Sequence, residues 1–368
     1  MKMNKMTTTA MLMAAACVVL CLATLGSAIS PRFDERGYTL LADTHAARSE
    51  FNAWARQNGR SYAAQEFGYR YNVWRDNAAY VEHFNANANA SFTVGLNDLA
   101  DMTLDEVARV YTGLAPAANP FTDASSPAAP VVDDETELER VARQLPASYD
   151  WRNAGAVTPV KNQGSCGACY TFSANAAIEG MYKIAAGQLT SLSEQMLLDC
   201  AQGTGNLGCN GGNMEITYSW ILNNGGGVNT LASYPWSGFR STCRYSASNN
   251  GAVIKAYRRA TSGSEAGLLT LASRGPVSVG INASPRSFTY YRSGTLIDSS
   301  CTAAGMNHAV TVVGWGTDAS GNPYWLIKNS WGTSWGLSGY AQIGRNSGNM
   351  CGIATMASQP CFKADCSQ

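Results

Sequence analysis

Gln163-Gly-Ser-Cys166-Gly-Ala-Cys169-Tyr170-Thr-Phe172 sets a cysteine at the mouth of a helix. Phe172, Ala176, Ile178, Met181, Tyr182, Ile184 and Ala185 keep helical spacing, which predicts a helix from Tyr170 to about Ala186 with Gly187 as its stop. A thiol at a helix N-terminus lies near unpaired N–H groups and the positive end of the macrodipole, so the nucleophilic thiolate is favoured there. Gln163, just upstream, supplies a neutral NH2 donor suited to an oxyanion.

The chain has 368 residues, more than one ordinary core, so two or more folding units are expected. A hydrophobic share of 45% with 14% charge marks a globular protein. Net charge is zero, which gives no footing for nucleic acid. The zero hides an asymmetry: residues 29–144 carry 17 acids against 10 bases, and residues 145–368 carry 9 against 14. The two parts should attract at neutral pH, and carboxylate protonation should weaken that attraction. Lys2 and Lys5, an apolar run from about Ala10 to Leu25 and the exit Gly26-Ser27-Ala28 read as a secretory signal peptide over 1–28. That leader permits disulfides and implies the secretory pathway with no stable membrane anchor.

Within residues 29–144, Glu66, Arg70, Trp74, Asn77, Val81 and Asn85 fall on one stripe of a long helix, and Glu66 with Arg70 has i,i+4 spacing. Gly95, Asn97, Leu99 and Asp101 follow, then an Ala/Pro-rich linker with an acidic run at Asp133–Glu139. Such a linker is extended and open to proteases.

Cys166-Gly-Ala-Cys169-Tyr170 fits the pattern C-G-[SA]-C-[WY], and through it the chain resembles the papain-like cysteine proteases. The helical stripe resembles the ERFNIN pattern of cathepsin L-type propeptides, with Trp74 for Phe and Val81 for Ile; the second motif is similar to G-x-N-x-F-x-D, with Leu99 for Phe. The resemblance implies an α+β, papain-like two-lobe fold: a helical lobe and a β-barrel-like lobe with a cleft between, preceded by a helical inhibitory propeptide. It implies a propeptide at 29–144 and a mature peptidase at 145–368, since Leu145-Pro-Ala-Ser-Tyr-Asp-Trp resembles a mature N-terminus. Ser191-Leu-Ser-Glu194 has capping-box spacing before a short helix, and strands are expected from about Val253 onward.

Of three histidines, His45 and His83 lie in the pro-region, leaving His308 as the base for Cys169. Asn329 stands where the family's third catalytic residue is found, Trp331 would shield the Asn–His contact, and Gln163 with the Cys169 N–H would form the oxyanion hole. By resemblance Gly211 and Gly212 bind extended peptide backbone, while Met214, Gly280, Ala309 and Met356 map to the S2 pocket. That pocket implies an apolar P2 preference, and no occluding-loop insertion is visible, which favours an endopeptidase. The resemblance also implies disulfides Cys166–Cys209, Cys200–Cys243 and Cys301–Cys351, with Cys361 and Cys366 left over; spacing alone leaves 105 pairings of eight cysteines. Tyr170 and Asn307 depart from the usual Trp and Asp.

Two other readings of Cys166-x-x-Cys169 fare poorly. A redox motif needs a βαβ unit that is not apparent, and a zinc site needs a second ligand pair. A silent, binding-only homologue would be expected to lack one of Cys169, His308, Asn329 or Gln163. The expected partners are protein and peptide substrates, the chain's own propeptide and, by family resemblance, cystatin-like inhibitors. No cofactor or metal is expected, and the protein should be a monomer in an acidic lysosome-like compartment or outside the cell. Asn89-Ala-Ser and Asn282-Ala-Ser are sequons.

Overall fold

The computed structural model describes residues 41–86, 89–115, 131–132, 144–203 and 205–367. The expected leader and most of the expected linker lie outside these, while the Gln144/Leu145 junction expected as the processing point lies within them. The pro-region contributes α1 (His45–Gln57), α2 (Ala64–Asn85), β1 (Phe92–Val94), α3 (Leu104–Tyr111) and β2 (Val131–Val132). Next come β3 (Tyr149–Asp150), α4 (Cys169–Ala186), α5 (Glu194–Cys200), α6 (Met214–Asn223), β4 (Gly227–Asn229), β5 (Asn250–Val253) and β6 (Ala256–Ala260). The chain ends with α7 (Glu265–Ala272), β7 (Val277–Ile281), α8 (Arg286–Thr289), β8 (Tyr291–Leu296), β9 (His308–Thr317), β10 (Pro323–Lys328), β11 (Tyr340–Gly344) and β12 (Ala357–Cys361).

In the pro-region, Phe51 on α1 packs against Trp54, Tyr62, Phe67, Tyr71 and Trp74, ring centroids 5.3–6.0 Å away. The polar members of the α2 stripe satisfy the irregular backbone that follows, as buried carbonyls require. Asn77 Nδ2 donates to Ala100 O and Met102 O, and Asn85 exchanges two hydrogen bonds with the Val94 backbone. Arg70 holds Glu66, Glu106 and Asp101 O together. The side chains of the stripe thus shape the 94–106 segment.

α4 is the central helix, buried along most of its length. It stops at Gly187, whose φ of +76° suits a residue without Cβ. With α5 and α6 it forms one apolar cluster that includes Ile178, Met196, Leu197, Leu198 and Tyr218. The α5 cap is Ser193, whose hydroxyl accepts from Met196 N; Ser191, expected from spacing, is not the cap.

The second lobe is a ten-stranded sheet in the order β1-β8-β11-β10-β9-β7-β12-β6-β2, with β3 on β9. It is open and not the β-barrel-like closure anticipated above. Both ends are pro-region strands: β1 pairs antiparallel with β8, and β2 pairs parallel with β6. Four disulfides join Cys166 to Cys209, Cys200 to Cys243, Cys301 to Cys351 and Cys361 to Cys366, and Cys169 is a buried free thiol. Asn282 Nδ2 donates inward to Thr302 O and Ala304 O, so that sequon is used by the fold.

Candidate active site

Cys169 opens α4 from one lobe, and His308 opens β9 in the other. Both are fully buried. Around the thiol, the backbone N–H groups of Ala309, Tyr170 and Gly113 favour the charged form, but burial outweighs them and pushes its pKa up to about 12. Burial likewise drives His308 down to about 4 against its hydrogen bond to Asn329. In this covered state the neutral thiol and neutral imidazole are favoured. Burial in this covered state works against the thiolate that a helix N-terminus favours.

The imidazole tautomer follows from its neighbours. Asn329 Oδ1 accepts from Ser330 N at 2.7 Å, which fixes the amide with its oxygen on that side. The same oxygen lies 2.8 Å from His308 Nε2, so Nε2 carries the hydrogen and Nδ1 keeps its lone pair. Nδ1 is buried and has no hydrogen-bond partner among the described residues. Trp331 covers the imidazole, centroids 4.8 Å apart, and is itself packed by Phe288 and Trp335.

Gln163 is oriented from both ends of its amide. Its Oε1 accepts from Ser330 Oγ at 2.7 Å, and its Nε2 donates to Cys166 O and to Tyr111 O. Tyr111 O also accepts from Trp331 Nε1 at 3.0 Å. A pro-region carbonyl therefore rests on the donor proposed for an oxyanion.

The pro-segment continues through the cleft as an extended chain. Gly113 N and Leu114 N donate to Asn307 O, Gly212 N donates to Gly113 O, and Ala115 N donates to Gly212 O. Leu114 and Gly212 form a parallel bridge. Gly212 carries this pairing, whereas the Gly211 carbonyl is taken by Leu207 N. A Cβ on Gly113 would come within 2.0 Å of Gly167 O, so only glycine passes here. Leu114 is buried in the cluster that holds Met214, Ala309 and Met356, and it lies against Gly280. Asn307 turns its own amide away, toward Ala283 N and Ser284 Oγ.

Farther along, Asn97 Nδ2 donates to Thr289 O, Gly95 N donates to Tyr290 O, and Leu99 is buried. Asp101 accepts from Tyr62 OH. Arg286 reaches across to Asp76, bonds Asn77 Oδ1 and lies over the Tyr80 ring. Tyr111, Gly113, Leu114, Ser330 and Arg286 were not singled out from sequence. Their partners lie tens to hundreds of residues away, and no local pattern marks them.

A family profile described as "Papain family cysteine protease" matches residues 145–361, and one described as "Cathepsin propeptide inhibitor domain (I29)" matches residues 51–107. The chain belongs to the papain family of cysteine proteases. Digestive cysteine proteinase 1 of Homarus americanus is 42% identical over 325 residues, covering 86% of this chain and 95% of that protein. Procathepsin L of Mus musculus is 35% identical over 350 residues, covering 93% and 97%. Among solved structures, digestive procathepsin L2 from Tenebrio molitor larval midgut superposes with a TM-score of 0.77 at 34% identity, covering 85% of this chain and 99% of that one. This papain-family chain is thus a cathepsin L-like cysteine-type peptidase made as a zymogen, with its own propeptide as intramolecular inhibitor. Among the described residues no helix is long and apolar enough to cross a membrane.

Proposed function

We propose that the protein is an endopeptidase whose reaction is carried by Cys169, His308, Asn329 and Gln163. The observation that carries the reading is the shared Asn329 oxygen, which ties His308 Nε2–H and leaves Nδ1 as the only basic ring nitrogen. Once the propeptide leaves and water enters, Nδ1 takes the Cys169 proton and the thiolate–imidazolium pair becomes accessible. The sulfur attacks the scissile carbonyl carbon, and the carbonyl oxygen takes the charge facing Gln163 Nε2–H and the Cys169 N–H. Each such donor is typically worth roughly 3 kcal/mol. His308 returns the proton to the leaving amine as the C–N bond breaks. It then deprotonates water, which attacks the thioester and releases the acid with the thiol restored.

Gly212 would pair with substrate backbone as it does with Gly113, with Gly211 close beside it. The seat of Leu114 among Met214, Gly280, Ala309 and Met356 supports an apolar P2 side chain, Leu, Phe or Val over Arg. Residues 1–28 act as a leader, processing falls near Gln144/Leu145, and the active enzyme works as a monomer in an acidic lysosome-like compartment or outside the cell. Cystatin-like inhibitors would fit the same cleft.

Purified proprotein held at neutral and acidic pH with a thiol reductant tests this, with chain mass and turnover of P2-Leu and P2-Arg fluorogenic peptides followed beside Cys169→Ala. Acid should bring mass loss near residue 144 and P2-Leu cleavage in wild type alone. Turnover that survives Cys169→Ala overturns the mechanism, and faster P2-Arg cleavage overturns the pocket.

A further inference from the structure

Between α4 and α5 on one side and β9 and β10 on the other lies a cavity of about 20 Å³ that the proposed reaction does not use. Its wall comes wholly from residues 145–368, so none of it leaves with the pro-region. The wall is charged and tightly bonded. Lys161 Nζ donates to Glu179 Oε1 at 2.8 Å, Leu192 O at 3.0 Å and Glu194 Oε1 at 2.6 Å, which occupies all its hydrogens. Thr158 Oγ1 donates to Glu179 Oε2 and accepts from Lys328 Nζ at 2.8 Å. The hydroxyls of Ser173, Thr311 and Ser330 are directed at Val310 O, Ser173 O and Gln163 Oε1.

Two polar side-chain atoms of this wall have no partner among the described residues: Glu194 Oε2 and Asn329 Nδ2. Both residues are buried, at 1% and 3% exposure. Lys328, also buried, carries three hydrogens on Nζ, of which Thr158 takes one. Burial raises Glu194 against the pull of Lys161 and lowers Lys328 to about 8, as expected of buried charges short of partners. Buried polar atoms of this kind are ordinarily satisfied, and water does so where protein does not. A water needs roughly 10–15 Å³ of such space and roughly two to four polar partners. The cavity has the room, and its wall supplies two donors and an acceptor.

We infer that this cavity binds a water that accepts from Asn329 Nδ2–H and Lys328 Nζ–H and donates to Glu194 Oε2, making Glu194 a positioning residue for Asn329. The Asn329 amide is then held at both ends, its oxygen by His308 Nε2–H and Ser330 N–H and its nitrogen through the water. Rotation of the amide would set its NH2 against two other donors and leave Glu194 Oε2 without one, so the water keeps the imidazole in the tautomer with Nδ1 basic. The bearing on catalysis rests on the proposed role of Asn329; the water site does not.

An atomic-resolution crystal structure of the full-length Cys169→Ala proprotein tests the site without needing activity. It should show an ordered water within hydrogen-bond reach of both Glu194 Oε2 and Asn329 Nδ2. A cavity without density, or a water out of reach of either atom, overturns the proposal. In processed enzyme, Glu194→Gln and Glu194→Leu remove the same charge from beside Lys161, but only Gln keeps an oxygen for the water. Glu194→Leu should lower kcat at least about tenfold at near-constant KM, and Glu194→Gln should stay within about threefold of wild type. Equal losses in the two would assign Glu194 to lobe packing and overturn the positioning role. If melting shows Glu194→Leu unfolded, Ala176→Val replaces it, adding two methyl groups to the cavity wall with every charge retained. Unchanged kcat in that variant likewise overturns the role. Asn329→Ala alongside separates the two readings: full activity there removes the proposed function of Asn329 and leaves the water site to the crystal structure.

Discussion

Ser330 Oγ donates a 2.7 Å hydrogen bond to Gln163 Oε1, turning Gln163 Nε2 toward the cleft. Both residues are buried, so the bond is not exchanged with water. Ser330→Ala should free the Gln163 amide to rotate. We expect kcat to fall roughly 3- to 10-fold at near-constant KM, against roughly 100-fold for Gln163→Ala, since the donor is displaced and not deleted. A fall in KM alone, or a Gln163→Ala/Ser330→Ala double variant whose losses add in full, would contradict the coupling.

Acid should destabilise the covered site through His308. Its folded pKa of about 4 lies below the ordinary 6.5, so between those values the unfolded chain binds a proton that the folded chain does not. Stability therefore falls as pH drops from about 6.5 to about 4, by on the order of 3 kcal/mol at the limit. Melting of Cys169→Ala proprotein across that window should show a shallower decline when His308→Gln is added. Identical slopes would assign the acid response elsewhere.

The same burial silences the thiol. With Cys169 pushed up to about 12, the thiolate fraction at pH 8 should be near 10⁻⁴, compared with roughly a quarter for an ordinary cysteine. Iodoacetamide should alkylate the proprotein at least about a thousandfold more slowly than the processed enzyme at that pH. Comparable rates would show that water already reaches the sulfur.

Arg286 is a cationic anchor for the pro-region, meeting Asp76, Asn77 and the Tyr80 ring. Asp76 is a quarter exposed, so solvent discounts the pair; Arg286→Ala should cost about 1–2 kcal/mol of pro-region binding. Autoprocessing should then begin at higher pH than in wild type, and the gap should narrow in high salt. An unchanged onset would place the hold in Asn97 and the aromatic contacts.

A Cβ at Gly280 would approach Leu114 to 2.8 Å and Met356 to 3.4 Å. Gly280→Ala should therefore lower kcat/KM for P2-Phe about tenfold while P2-Val changes by less than about threefold, since one methyl is worth roughly 1–3 kcal/mol. Equal losses for both would place P2 elsewhere.

Much of the site was legible because its signals are local. Cys169 opens a helix whose stop at Gly187 is visible, His308 begins a β-rich run, and Asn329 directly follows another. The α2 stripe was equally plain, since residues on one helix face share a period. Legibility failed where two segments meet. Ser191 and Ser193 both satisfy a capping rule, and backbone geometry chose Ser193. Strands β1 and β2 have three and two residues, too short for periodicity, and exist because a sheet edge receives them.

Residue order alone thus pointed to the proposed nucleophile, its candidate base and orienting amide, the zymogen layout and the helical elements, because each rests on residue type and short spacing. Only the tertiary structure covers Cys169 and His308, and that burial favours the neutral thiol and the neutral imidazole. It also seated Leu114 against Gly280, turned Gln163 by way of Ser330, and left the sheet open with a pro-region strand at each end. Those outcomes depend on which distant groups share a dry environment, and sequence spacing does not encode that.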